Sequence, residues 1–107
     1  MGNSQIIAFV PDGTFPFSLD EFAALSRQRW SAISAVYFEQ PPFHTGVNVQ
    51  IEPTDESFFQ IDYWRDRTAI TTDGTIPQRA EVAAWVRSLL PADAPRLIAF
   101  DTGWFSH

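Results

Sequence analysis

The amino-acid sequence predicts an α+β domain: a mainly antiparallel sheet of five or six strands with two helices on one face, in the order β-α-β-β-β-β-α-β. Three observations predict it. Val47, Val49 and Ile51 alternate with Asn48, Gln50 and Glu52, the period-two signature of a strand buried on one side and wet on the other. Ser18-Leu19-Asp20-Glu21 and Thr75-Ile76-Pro77-Gln78 are capping-box patterns that each precede helically spaced apolar residues. The middle strands follow one another across short turns, which favours a meander over the long crossovers that parallel strands require.

The elements follow in chain order. Gln5 to Val10 is a β-branched run ended by Pro11-Asp12-Gly13, hence a buried strand and a turn, and Gly13 to Phe17 reads as a loop carrying two aromatics. In the first helix Leu19, Phe22, Ala23, Trp30 and Ile33 share one face, with Arg27 and Arg29 toward the other. Ala35 to Glu39 has strand composition and stops at Pro41-Pro42. Pro53 to Glu56 is a polar turn, and Thr68 to Thr72 a short strand closed by Asp73-Gly74. In the second helix Val82, Ala83, Trp85, Val86, Leu89 and Leu90 fill one arc and leave Glu81, Ala84 and Ser88 outside it; Pro91 ends it. After a turn at 92–95, Leu97 to Phe100 is a last core strand, and Thr102 to His107 a tail. A chain of 107 residues with no internal repeat or linker is expected to form one domain, 1–107.

Composition narrows the function classes. Without cysteine there is no disulfide framework, thiolate metal site or thiol nucleophile. Thirteen acidic residues face seven basic ones, all Arg, for a net charge of −6, which argues against contact with nucleic acid or anionic membrane and in favour of a basic protein partner. The apolar runs are too short to span a bilayer, and no charged-then-apolar signal layout opens the chain, so the expected location is the cytoplasm.

Catalytic signals are sparse. His44, in the loop Pro42 to Gly46, is a candidate general base only if a carboxylate and a nucleophile converge on it. His107 ends the chain. No H-x-x-x-H or calcium-loop spacing occurs, nor a phosphate loop, dinucleotide fingerprint or nucleophile elbow, so no metal or other cofactor is expected. Asp62 and Asp66 would stand about 13 Å apart along a strand, too far for a carboxylate pair.

The densest mixture of residue types is Glu56 to Arg67. Strand alternation assigns Phe59, Ile61 and Tyr63 to the core and Phe58, Gln60, Asp62 and Trp64 to the opposite face. Beside Asn48, Gln50 and Glu52 these would form an open, acidic, amide-rich sheet face bracketed by two aromatics, as interaction anchors are. Asp55, Glu56 and Asp66 complete the candidate partner-binding set. Arg65-Asp66-Arg67 reads as a hairpin tip whose arginines form solvated ion pairs with Asp62 and Asp66.

The segment Ile70-Thr71-Thr72-Asp73-Gly74-Thr75-Ile76-Pro77-Gln78-Arg79-Ala80-Glu81-Val82-Ala83-Ala84-Trp85-Val86-Arg87-Ser88-Leu89-Leu90, with Arg96-Leu97-Ile98-Ala99-Phe100-Asp101, resembles the C-terminal half of small bacterial proteins from high-GC genomes. It covers roughly a third of the chain. By type, being short, acidic, cysteine-free and without catalytic motifs, the whole chain resembles immunity proteins of polymorphic toxin systems, including contact-dependent growth inhibition. That resemblance implies a non-enzymatic cytoplasmic protein, monomeric outside its complex, that occludes a cognate toxin domain, often a basic nuclease. It supplies no motif to carry over residue by residue. Two alternatives stay open: a small enzyme or ligand-binding domain with a pocket between the sheet and the loops holding Phe15, Phe17 and His44, and a subunit that self-associates through an exposed strand or aromatic face.

Overall fold

A computed structural model describes residues 5–10, 13–94 and 96–101, and of their side chains all but those of 9, 10, 100 and 101. The expected turn at Pro11-Asp12, Pro95 of the 92–95 turn and the tail from Thr102 to His107 lie outside the described residues. The order is β1 (Gln5–Val10), α1 (Leu19–Arg29), β2 (Ile33–Phe38), β3 (Thr45–Ile51), β4 (Phe59–Trp64), β5 (Ala69–Thr72), α2 (Ile76–Ser88) and β6 (Arg96–Asp101).

One six-stranded sheet runs β2-β3-β4-β5-β1-β6, every neighbouring pair antiparallel. Alternating directions make β1 parallel to β2, and β5 parallel to β6, so each helix bridges two parallel strands. The first bridge runs toward one sheet edge from an upward strand, the second toward the other edge from a downward strand. Crossovers of the same hand, as such connections nearly always are, therefore put both helices on the same face. Phe22 of α1 accordingly meets Trp85 of α2 with ring centroids 5.7 Å apart.

Both helices begin where the side chains dictate. The Ser18 hydroxyl accepts from the Glu21 N–H at 3.1 Å while the Ser18 N–H donates to the Glu21 carboxylate at 2.7 Å. Thr75 and Gln78 repeat the exchange at 3.2 and 2.9 Å, with Pro77 in the first turn. Gln78 goes further than its cap: its Nε2 donates to the Ser57 carbonyl at 2.8 Å, which explains a buried amide at a helix start. Gly74, at φ +122, makes room for it; a Cβ there would stand 2.7 Å from the Gln78 Oε1 and 3.0 Å from the Phe59 Cβ.

The first helix is shorter than its apolar spacing implies. Trp30 is already extended at φ −120 and ψ 123, and Ile33 opens β2. Ile33, Val36, Tyr37 and Phe38, β-branched or aromatic, favour strand, and Trp30 reaches the core from outside the helix, 4.8 Å from Trp85 and 6.3 Å from Phe59 between ring centroids. Phe15 and Phe17 are a second departure. These loop residues are buried, with Phe15 pinned by its N–H donating to the Arg67 carbonyl at 2.8 Å. With Phe22 they surround Tyr63, whose hydroxyl donates to the Phe17 carbonyl at 2.7 Å. They fill the core and line no pocket beside His44. Burial pushes the Tyr63 phenol well above its ordinary value, which favours the protonated form that donates to Phe17.

Candidate interaction face

Among the described residues no helix packs over the other face of the sheet, and from β2 to β5 its central rows are polar by register. Antiparallel partners share a face, and the row Tyr37, Asn48, Asp62, Thr71, Ile6 crosses five strands from β2 to β1. Beside it lie Ala35, Gln50 and Gln60, with Asp73 just past β5. Each of these positions is the odd partner of a core residue: in β4, Phe59, Ile61 and Tyr63 are buried while Gln60, Asp62 and Trp64 are half-buried on the other side.

The amides and carboxylates form one network. Asn48 Nδ2 donates to Asp62 Oδ1 at 2.6 Å and to Gln60 Oε1 at 3.0 Å, and Gln50 Nε2 donates to Asn48 Oδ1 at 3.1 Å. Asp73 Oδ1 accepts from the Gln60 N–H at 2.8 Å, across the end of β4. Gln60, Asp62, Thr71, Thr72 and Asp73 line a shallow depression of about 150 Å³. Burial raises the Asp62 carboxyl above its ordinary value of 3.8; the Asn48 amide and Thr71 hydroxyl oppose the rise, and the charges of Asp73 and Glu39 add to it. The face thus holds a carboxylate in an environment that disfavours its charge; Arg96, which the register puts on the same face out on β6, is not among the groups that act on it.

The ten residues singled out from the sequence divide by position. Asn48, Gln50, Gln60 and Asp62 come together in the network. Glu52 follows β3, exposed, its N–H donating to the Ala32 carbonyl at 2.9 Å, and Phe58 stands exposed just ahead of β4. Asp55 and Glu56 lie in the exposed loop between β3 and β4, where Glu56 lines a groove with Arg29, Trp30 and Glu81 on the helix side. Trp64 closes the far end of β4, its ring 6.0 Å from that of His44. Asp66 sits in the β4–β5 turn, accepting from the Thr68 hydroxyl at 2.6 Å; that bond, foremost, holds its carboxyl below the usual range. Sequence reasoning missed Thr71 and Asp73. Alternation along β5 would have found Thr71 once its register to Asp62 was known, but nothing local distinguishes Asp73 from an ordinary turn aspartate.

The arginines behave differently from the expected solvated pairs. Arg65 donates to the backbone carbonyls of Glu39, of Phe43 at 3.3 Å and of Thr45 at 3.4 Å, clamping the β2–β3 loop to β4. Arg67 adopts φ +62 and shapes the turn, its N–H donating to the Trp64 carbonyl at 2.9 Å. An ion pair joins Arg29 to Glu81 between the helices, with the Arg29 guanidinium 4.8 Å above the Trp30 ring.

Near His44, an open groove of about 280 Å³ runs along Pro41, Pro42, Phe43, Trp64, Arg65 and Asp66. The Asp66 carboxylate is close enough to feel the His44 charge, but its oxygen is engaged by Thr68. Among the described residues no group of three or more His, Cys, Asp and Glu is placed to hold a metal ion, and no helix is long and apolar enough to cross a membrane. Comparison with family models, with curated proteins and with solved structures found no match.

Proposed function

We propose that the chain is a non-catalytic, cytoplasmic binding protein that docks a basic protein domain on its open sheet face, as an immunity protein occludes a toxin. The observation that carries this reading is Asp62: a carboxyl whose titration burial pushes up, near the charges of Asp73 and Glu39, ordered by Asn48 and Thr71, with no cation among the groups that act on it. Surface carboxylates that merely keep a protein in solution need no such ordering. A lysine or arginine from a partner would supply the missing charge and relieve the repulsion among the three acids. Amides held by their neighbours add donors and acceptors at fixed positions, and Trp64 and Phe58 flank the face as apolar anchors. Net charge −6 speeds encounter with a basic domain.

Co-expression with a toxin domain sought immediately upstream of this chain's gene is the test. A stable complex and rescued growth are expected; persistent toxicity with no complex would end the proposal. A second reading, a small-ligand site in the groove at His44, rests on the neighbourhood of His44 and Asp66. It requires that His44→Ala abolish ligand binding while Asp62→Lys does not.

A further inference from the structure

The face just described stops at β2, and among the described residues β2 is a free edge. Its backbone can be read group by group. The Glu39 N–H donates to the Gly46 carbonyl at 2.9 Å, so Glu39 and Gly46 form a hydrogen-bonded pair. Antiparallel pairs alternate, so Tyr37 and Ala35 also bond inward to β3, whereas Val36 and Phe38 turn their N–H and C=O groups outward. A bulge between Ile33 and Ala35 interrupts this pattern on one side, and Pro41 limits it on the other. Between them the edge offers two outward donors and two outward acceptors. Tyr37 and Phe38 stand 52% and 46% exposed there.

Exposed edges in natural proteins are commonly blunted by charge or proline within the strand. β2 carries neither, and the nine residues from Trp30 to Phe38 are uncharged in a chain of net charge −6. Charge therefore selects the occupant. A basic strand would find only Glu39, just past the end of this strand, to recruit it. A second copy, repelled elsewhere by its own acidic surface, meets no like charge here. The opposite edge, β6, carries Arg96 and Asp101.

We propose that β2 pairs with β2 of a second copy about a two-fold axis at Tyr37, extending the sheet across the dimer. This goes beyond the partner-binding reading, leaves the open face free, and replaces the monomer expected from the sequence. The register follows from the groups available. Placing Tyr37 opposite the partner's Tyr37 sets Val36 opposite the partner's Phe38, and each such pair exchanges both outward N–H and C=O groups. All the outward groups between bulge and proline are then used. Tyr37 packs against its own copy as a cross-strand aromatic pair. The two Glu39 side chains, two residues from the axis on either side, stand roughly 14 Å apart along the strands, beyond a screening length of about 8 Å.

Sedimentation equilibrium of the full chain, with amide hydrogen exchange, tests this. The wild-type mass is expected to climb from 12.1 kDa toward twice that with concentration, as the Val36 and Phe38 amides become protected. Tyr37→Asp and Tyr37→Lys, each checked for folding by circular dichroism, should be monomeric alone because like charges then oppose each other at the axis. Mixed in equal amounts they should dimerise again. A wild-type chain that stays at 12.1 kDa with freely exchanging Val36 and Phe38 amides overturns the proposal. So does a dimer unaffected by both substitutions, or a mixture that stays monomeric. Protection of those amides only when a basic protein is added would assign the edge to a foreign strand instead.

Discussion

The two faces of this sheet are made by the same strands and obey opposite rules. On the covered side Val47, Val49, Ile61 and Tyr63 are wholly buried against two helices, and contacts there are chosen by volume and apolar area. One residue along, Asn48, Gln50, Gln60 and Asp62 are joined by directed hydrogen bonds and accept an electrostatic penalty at Asp62. The covered face is what stability alone would select; the open one is not. A sheet needing only solubility could carry lysine and glutamate there; the ordered acid at Asp62 is what the proposed partner would meet.

The sharpest contrast lies within β4. Ile61→Ala should cost about 2–5 kcal/mol in chemical denaturation, because a buried methyl cluster leaves a cavity, while Gln60→Ala next to it should cost about 1 kcal/mol or less. Equal effects would show that the open face is structural. Gly74→Ala comes next: a side chain at φ +122 against Gln78 and Phe59 should cost roughly 1–3 kcal/mol and loosen the start of α2. A thermal scan showing no loss would mean that the α2 cap and Ser57 contact are dispensable.

The aspartates separate the faces by pH. A carboxyl whose value is raised on folding holds its proton more tightly in the folded chain, so its contribution is most favourable below 3.8 and is lost as pH rises through the raised value. Asp62→Asn keeps an oxygen for Asn48 and removes the charge. It should therefore match or slightly exceed the wild-type melting temperature at neutral pH, the advantage shrinking as pH falls toward 3.8. Asp66 has the opposite sign: lowered by Thr68, it stabilises above 3.8 and loses that contribution as pH falls through its own lower value. Being solvent-exposed, it should give the smallest effect of the series, and Asp66→Ala should differ from wild type only above that range. Melting curves between acid and neutral pH check both signs.

Much of this arrangement was legible because period-two patterning is local. Val47 to Ile51 and Phe59 to Trp64 declared their faces without tertiary information, and pairing two consecutive strands brought Asn48 to Asp62. What was not legible depended on distant backbone. The role of Arg65 is set by three carbonyls that the β2–β3 loop delivers to it, and a charge-counting reading assigns such an arginine to nearby acids instead. Phe15 and Phe17 are loop residues as read, but their burial was not legible, because nothing in their neighbours shows that the Arg67 carbonyl will hold the Phe15 N–H and the Tyr63 hydroxyl will bond the Phe17 carbonyl. Trp30 and Ile33 continued a helical period by coincidence, since a strand entering the same core needs the same residue types. Glu56 and Asp66 joined the candidate set through nearness in sequence, and the turns at either end of β4 carry them away from the network.

The most direct test of the central claim is the affinity of the chain for the proposed partner, a basic toxin domain taken from a neighbouring gene, measured by calorimetry for wild type and Asp62→Lys. Tight binding that falls at least about a hundredfold on charge reversal, roughly the 3 kcal/mol expected when a buried charge pair becomes a repulsion, is the predicted result, with the folded state intact. Undiminished affinity in Asp62→Lys would contradict it, because the partner would then be reading some other surface.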